Sequence, residues 1–178
     1  MTSIAWTATT TSFGELLLAA SGEGVVALAF ASTTDEAAAW LESEFPGRPT
    51  HRDDEGLRST SATVLGVLDG DGGRPIPLAA IGTDFQERVW HALRSIPFGQ
   101  TRTYTQLAAM VGRPHAVRAV ASACAKNPIS ILVPCHRVVG ADGSLRGYRW
   151  GLERKHMLLE HERHVVQSRA RSGMARSA

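Results

Sequence analysis

The chain has 178 residues, 43% of them apolar and 20% charged, a composition that supports one domain or two small lobes around a real core. Its two cysteines exclude a disulfide scaffold and a four-thiolate zinc site. The net charge of +2 hides a segregation: Met1–Asp84 holds four Lys+Arg against twelve Asp+Glu, a net of −8, while Phe85–Ala178 holds fifteen against five, a net of +10. The second half should therefore seek a polyanion. No apolar run approaches the ~18 residues of a membrane span, so no membrane association is expected. Met1–Phe13 carries no positive charge ahead of an apolar stretch, so no signal peptide is expected and the protein is read as cytoplasmic.

The first lobe, residues 1–80, opens with a strand over Ile4–Thr10. Apolar runs Glu15–Ala20 and Val25–Ala31, separated by Ser21-Gly22-Glu23-Gly24, predict a hairpin. Asp35–Phe45 is expected to be helical, capped by Thr33, Thr34 or Asp35 and stopped by Pro46-Gly47. Arg48–Glu55 is expected as polar loop, Leu57–Leu68 as a second helix and Pro75–Ile81 as extended chain.

The second lobe, 81–163, is marked by two capping boxes, Thr83-Asp84-Phe85-Gln86 and Thr103-Tyr104-Thr105-Gln106, each opening a helix. Gly112 turns the chain, and Pro114 suits the first position of a further helix running past Cys124 to a stop at Asn127-Pro128. A short helix, a glycine turn and a second helix make a helix-turn-helix. On that second helix Val117, Val120 and Cys124 are expected in the core, with Ala116, Ala119 and Ala123 as a small-residue stripe beside Arg118. Ile129–Val139 is expected to be a buried strand, followed by a small wing around Asp142-Gly143, a helix over Gly151–Glu162 with Leu152, Leu158 and Leu159 inside, and a disordered basic tail from 164 to 178. The fold class is α+β: an N-terminal lobe with a small antiparallel sheet, and a C-terminal winged helix-turn-helix-like lobe.

The expected strand delivers Cys135 and His136 side by side. A free thiol titrates near about 8.5, so a reactive cysteine needs a base or nearby positive charge; His136, Arg137 and Arg118 are candidates. On a strand, adjacent side chains point to opposite faces, so His136 reaches Cys135 only if Pro134 forces a turn or a water bridges them. Two readings are open at this point: a winged-helix DNA-binding regulator whose Cys135 is structural or redox-sensing, and a Cys-His hydrolase.

The segment Ile131-Leu132-Val133-Pro134-Cys135-His136-Arg137-Val138-Val139 closely resembles the active-site signature of the O6-alkylguanine-DNA alkyltransferases. The resemblance extends from Phe85 to Glu162, through Pro97-Phe98-Gly99, Tyr104, Arg118-Ala119-Val120, Asn127-Pro128 and Gly147-Tyr148-Arg149-Trp150-Gly151. It implies a single-turnover repair protein, probing double-stranded DNA through the minor groove. Such a protein flips out O6-alkylguanine (chiefly O6-methylguanine, with O4-methylthymine as a second substrate) and keeps the alkyl group on Cys135. By the same resemblance His136 is the base, Glu162 orients it, Asn127 ties the adjacent turns and Tyr104 crowds the phosphate and donates a proton. Arg118 is the finger that enters the duplex, with Ala119 and Arg137 at the DNA. Pro134, Val138, Tyr148, Arg149 and Trp150 line the base pocket, where the bulk of Trp150 is expected to favour methyl over benzyl-sized groups. No metal or organic cofactor is implied, the protein is expected to be monomeric, and two cysteines cannot supply the zinc-containing domain of the adaptive-response relatives.

Overall fold

The computed structural model describes residues 2–72 and 74–175, with side chains only to 172. Three strands, β1 (Ile4–Thr11), β2 (Gly14–Ser21) and β3 (Gly24–Ala31), form an antiparallel meander. Leu16–Ala19 and Val25–Phe30 are buried on both faces of the sheet, which is why they read as continuous apolar runs. Within the segment expected as polar loop, β4 (Thr50–Arg52) pairs in parallel with β1 and completes the order β3-β2-β1-β4. Three polar residues of an edge strand carry no apolar alternation, so the pattern is silent there. Helix α1 (Thr34–Glu44) packs on β2 and β3, and Thr33 accepts the Glu36 amide as its cap. Helix α2 (Arg58–Leu68) has no side-chain cap.

The free edge of β3 holds the second lobe. Of the expected extended Pro75–Ile81 only Leu78 pairs, opposite Val25. Farther along, Leu28 pairs with Ile129: its amide donates to Pro128 O, and its carbonyl accepts both the amide and the hydroxyl of Ser130. The segment leading to Cys135 is thereby stapled to the first lobe.

Helix α3 (Asp84–Arg94) and helix α4 (Tyr104–Met110) each begin with the complete capping box expected of them. Gly112, at φ +71°, ends α4 with the Arg113 amide bonded to Ala108 O and its own to Ala109 O, the paired hydrogen bonds of a Schellman stop. Helix α5 (Val117–Ala125) starts three residues later than expected, because 113–116 form a turn closed by Ala116 N on Arg113 O. The second lobe thus contains the helix pair α4–α5, and the α+β class holds.

Three further expectations are corrected. Ile129–Val139 is not a strand. Pro128 and Pro134 offer no amide hydrogens, Ile131 turns back at φ +65°, and Cys135–Arg137 coil into a 3-10 turn before β6 (Val138–Val139) pairs in parallel with β5 (Arg102–Thr103). The wing is a tight turn rather than a strand hairpin: the Asp142 carboxylate takes the Ser144 amide and hydroxyl, and Gly140 N closes onto Ser144 O. The last helix, α6, runs over Leu152–Ala175, so the tail expected to be disordered is helical to 175, and 176–178 lie outside the described residues. No proline interrupts it. Val166 packs over Gly99, and Arg169 caps the end of α2 through the carbonyls of Asp69 and Gly70 and the carboxylate of Asp71.

Candidate active site

Asn127 organises the site from the end of α5. Its carbonyl oxygen accepts the Ile129 amide at 3.0 Å, and its Nδ2 donates to Val133 O at 2.7 Å and to the Cys135 sulfur at 3.3 Å. One side chain therefore closes the turn carrying the strained Ile131 and points a donor at the thiol. A β-branched residue in the left-handed region is costly and persists only where its surroundings dictate it, as these three hydrogen bonds do.

The 3-10 turn resolves the strand objection, since it replaces the alternation that would set Cys135 and His136 on opposite faces. His136 Nε2 lies 2.7 Å from Glu162 Oε1. Glu162 also accepts Arg137 Nε at 3.0 Å on both oxygens and Nη2 at 2.9 Å, and the Gly99 amide at 2.8 Å. Gly99 sits at φ +75° with Val166 where a Cβ would be, so the Pro97-Phe98-Gly99 turn needs glycine to bring that amide to the carboxylate. Burial by itself would raise the Glu162 carboxyl, but the hydrogen bonds from His136 and Arg137 and the charge of the Arg137 guanidinium win and hold it at about 2. Burial pulls the His136 imidazole down against the opposing pull of Glu162, so it rests neutral. An ionised carboxylate must accept, which places the imidazole proton on Nε2 and leaves Nδ1, buried without a partner among the described residues, as the basic nitrogen.

Cys135 is only 4% exposed. Burial pushes its thiol up, opposed by the Asn127 hydrogen bond and the positive charges of Lys155 and Arg149. The resting form is thus a thiol beside a neutral base.

Lys155 was not anticipated. It is wholly buried on α6, its Nζ donating to Val138 O at 2.6 Å and Arg146 O at 2.7 Å, 5.8 Å from the centre of the Tyr104 ring. No carboxylate pairs with it among the described residues, and its positive charge opposes the effect of burial on Cys135. The signal was in the spacing: 155, 158 and 162 share one face of a helix, with buried Leu158 between Lys155 and Glu162. The apolar side expected of this helix is corrected accordingly, since Leu152 is exposed.

Tyr104 and Arg118 line a cavity of about 570 Å³ between α4, α5 and the 140–147 turn. The Tyr104 hydroxyl donates to Arg146 O, and burial followed by the nearby thiols pushes it up to about 12, so it stays a donor. Arg118 and Ala119 are exposed, as are Ser122 and Ala125 on the same side, whereas Ala123 turns inward and accepts the Trp90 indole N–H. Val138 is buried, with its carbonyl on Lys155, and the Tyr148 ring stands edge-on to His136 at 6.5 Å. Other expected positions differ. Arg137 is buried, its guanidinium committed to Glu162, to Ile96 O and to the face of Phe98, so it is not a DNA-facing residue. Pro134 borders a separate depression with Leu132 and Arg94. Arg149 and Trp150 turn to the first lobe, against Glu44 and Trp40, rather than lining this cavity.

Residues 84–164 match the family model described as 6-O-methylguanine DNA methyltransferase, DNA binding domain. The chain is 43% identical over 150 residues to the Bifunctional transcriptional activator/DNA repair enzyme Ada of Escherichia coli, covering 84% of this chain but only 42% of that protein. It is 41% identical over 152 residues to the Methylated-DNA--protein-cysteine methyltransferase of Methanosarcina barkeri, covering 84% of this chain and 90% of the relative. Its fold superposes with a TM-score of 0.75 and 35% identity on the crystal structure of Mycobacterium tuberculosis OGT in complex with DNA, covering 90% of this chain and 94% of that one. Both lobes are matched, and the chain belongs to the methylated-DNA–protein-cysteine methyltransferase family.

Proposed function

We propose that the protein reverses alkylation damage in DNA, moving the alkyl group from O6 of guanine to the sulfur of Cys135. The observation that carries this reading is the buried chain Cys135–Asn127 and His136–Glu162–Arg137 beside a cavity walled by Tyr104 and Arg118. The exposed face of α5 offers one arginine among Ala119, Ser122 and Ala125. Small side chains suit a minor groove ~6 Å wide and carry little sequence information, which fits a lesion that arises anywhere. Arg118 takes the place of the extruded nucleotide, offsetting the few kcal/mol of unstacking.

His136 Nδ1, through a water, takes the thiol proton, and Glu162 stabilises the imidazolium. The thiolate, beside the Lys155 ammonium and the Asn127 amide, attacks the alkyl carbon. The S–C bond forms as the C–O6 bond breaks, and the electron pair leaves with guanine, which takes up a proton donated by Tyr104. The thioether has no comparable leaving group, so each chain reacts once. No step calls on a metal or organic cofactor.

DNA carrying O6-methylguanine should raise the intact mass of the protein by one methyl group per chain, mapped to Cys135. Cys135→Ala should abolish transfer completely and keep DNA affinity. A DNA-binding regulator takes up no methyl, a hydrolase turns over repeatedly, and either result overturns the proposal.

A further inference from the structure

Cys135 is almost fully covered, yet a base must reach it. The segment from Gly147 to Gly151 passes beside the next residue, His136, whose ring meets that of Tyr148 edge-to-face at 6.5 Å. Both glycines have left-handed φ values, +30° and +96°, and a Cβ at either would meet nothing within 4 Å. Glycine is therefore needed for backbone freedom rather than for space, and the two residues flank the segment as hinges. Among the described residues its only ion pair is made with the other lobe. Arg149 donates through both Nη atoms to Glu44 at the end of α1, while its guanidinium lies 5.2 Å from the centre of Trp40 and 5.3 Å from that of Trp150. Trp40 and Trp150 themselves meet edge-to-face at 5.1 Å. The segment also keeps Trp150 Nε1 buried without a partner among the described residues, so the shut arrangement is costly and needs a hold from outside.

We infer that Glu44 and Trp40 are positioning residues of the first lobe which, through Arg149, keep the Gly147–Gly151 segment shut over Cys135 and so set how readily, and how large, an alkylated base enters. This rests on the function proposed above. Both members of the ion pair are about a quarter exposed, so salt weakens the hold.

The test compares wild type, Glu44→Gln and Glu44→Asp by the rate at which iodoacetamide labels Cys135 without DNA, by methyl transfer from O6-methylguanine DNA and by benzyl transfer from free O6-benzylguanine. Glu44→Gln should speed labelling and benzyl transfer about fivefold, the scale of one partly exposed charged contact, and change methyl transfer less than twofold; Glu44→Asp should restore most of the hold. Added salt should speed labelling of wild type, with no variant needed, and have no such effect on Glu44→Gln. Equal labelling rates in wild type and Glu44→Gln, or salt effects of the same size in both, overturn the inference. Failure of wild type to accept methyl from DNA while labelling still responds to Glu44→Gln overturns the repair reading instead.

Discussion

The sheet lobe buries Leu16–Leu18, Val25–Phe30 and Leu41 with one polar side chain, Thr7, whereas the helical lobe buries Asn127, Ser130, His136, Arg137, Lys155 and Glu162 among the described residues. The first arrangement gains stability from area alone and tolerates exchange of one apolar residue for another. The second arrangement gains little from each charge, because removing ions from water costs about as much as their attraction returns. It persists where a particular proton must sit on a particular atom. The first lobe acts as scaffold, and its edge strand β3 supports the turn that carries the chemistry.

The largest expected effect breaks this contrast directly. Glu162→Ala strands the Arg137 guanidinium and should destabilise the fold by about 3–5 kcal/mol in urea unfolding. Leu17→Ala in the sheet should cost a similar ~2–5 kcal/mol. Folded Leu17→Ala should transfer methyl at the wild-type rate, while folded Glu162→Ala should be almost inactive. The pH dependence separates them further. The Glu162 carboxyl is depressed from 4.5 to about 2, so its stabilisation is complete above about pH 4.5 and fades as the pH falls through that range. Leu17→Ala should keep this acid limb, and Glu162→Ala should lose it.

Lys155→Met keeps the length of the side chain and removes the charge. It should lower methyl transfer about tenfold, or ~1.4 kcal/mol in barrier, because the sulfur loses a positive charge that opposes the effect of its burial, with stability changed less than in Glu162→Ala. The rate of Lys155→Met should recover partly at higher pH, where the thiol ionises without its cation. A rate equal to wild type would show that the ammonium serves packing only.

What the sequence disclosed follows the same division. Strands β1–β3 and helices α1, α3 and α4 were legible because their apolar periods, caps and glycine turns are local. The proline-flanked Cys135-His136-Arg137 run was legible as chemistry but not as geometry. Two missing amide hydrogens and the left-handed Ile131, imposed by Asn127 from eight residues before Cys135, convert an apolar strand pattern into a 3-10 turn. Arg137 read as a surface cation because its partner Glu162 lies 25 positions away, and Lys155 drew no reading because its acceptors are backbone carbonyls. Arg149 and Trp150 read as pocket wall by resemblance, and no local pattern records Glu44, 105 residues from Arg149, to correct that.

The smallest effect separates stability from positioning inside the second lobe. Thr83 and Thr103 build the same capping box on α3 and α4, each accepting an amide three residues on. Thr83→Ala and Thr103→Ala should therefore each cost about 1 kcal/mol in urea unfolding. Their consequences for transfer should differ. Thr103 lies next to Tyr104 and in the short β5 that pairs with Val138–Val139, so loosening the first turn of α4 shifts the Tyr104 hydroxyl from Arg146 O and disturbs the strand leaving Cys135. Thr83 starts a helix whose inward residues, Val89, Trp90 and Leu93, support the site indirectly, by packing and by the Trp90 indole N–H on Ala123 O. Methyl transfer should fall about threefold in Thr103→Ala and stay unchanged in Thr83→Ala, a gap of less than ~1 kcal/mol in barrier that equal stability losses cannot produce. Equal rates in the two would mean that Tyr104 is held by Lys155 and Arg146 alone, with α4 contributing nothing beyond its place in the core.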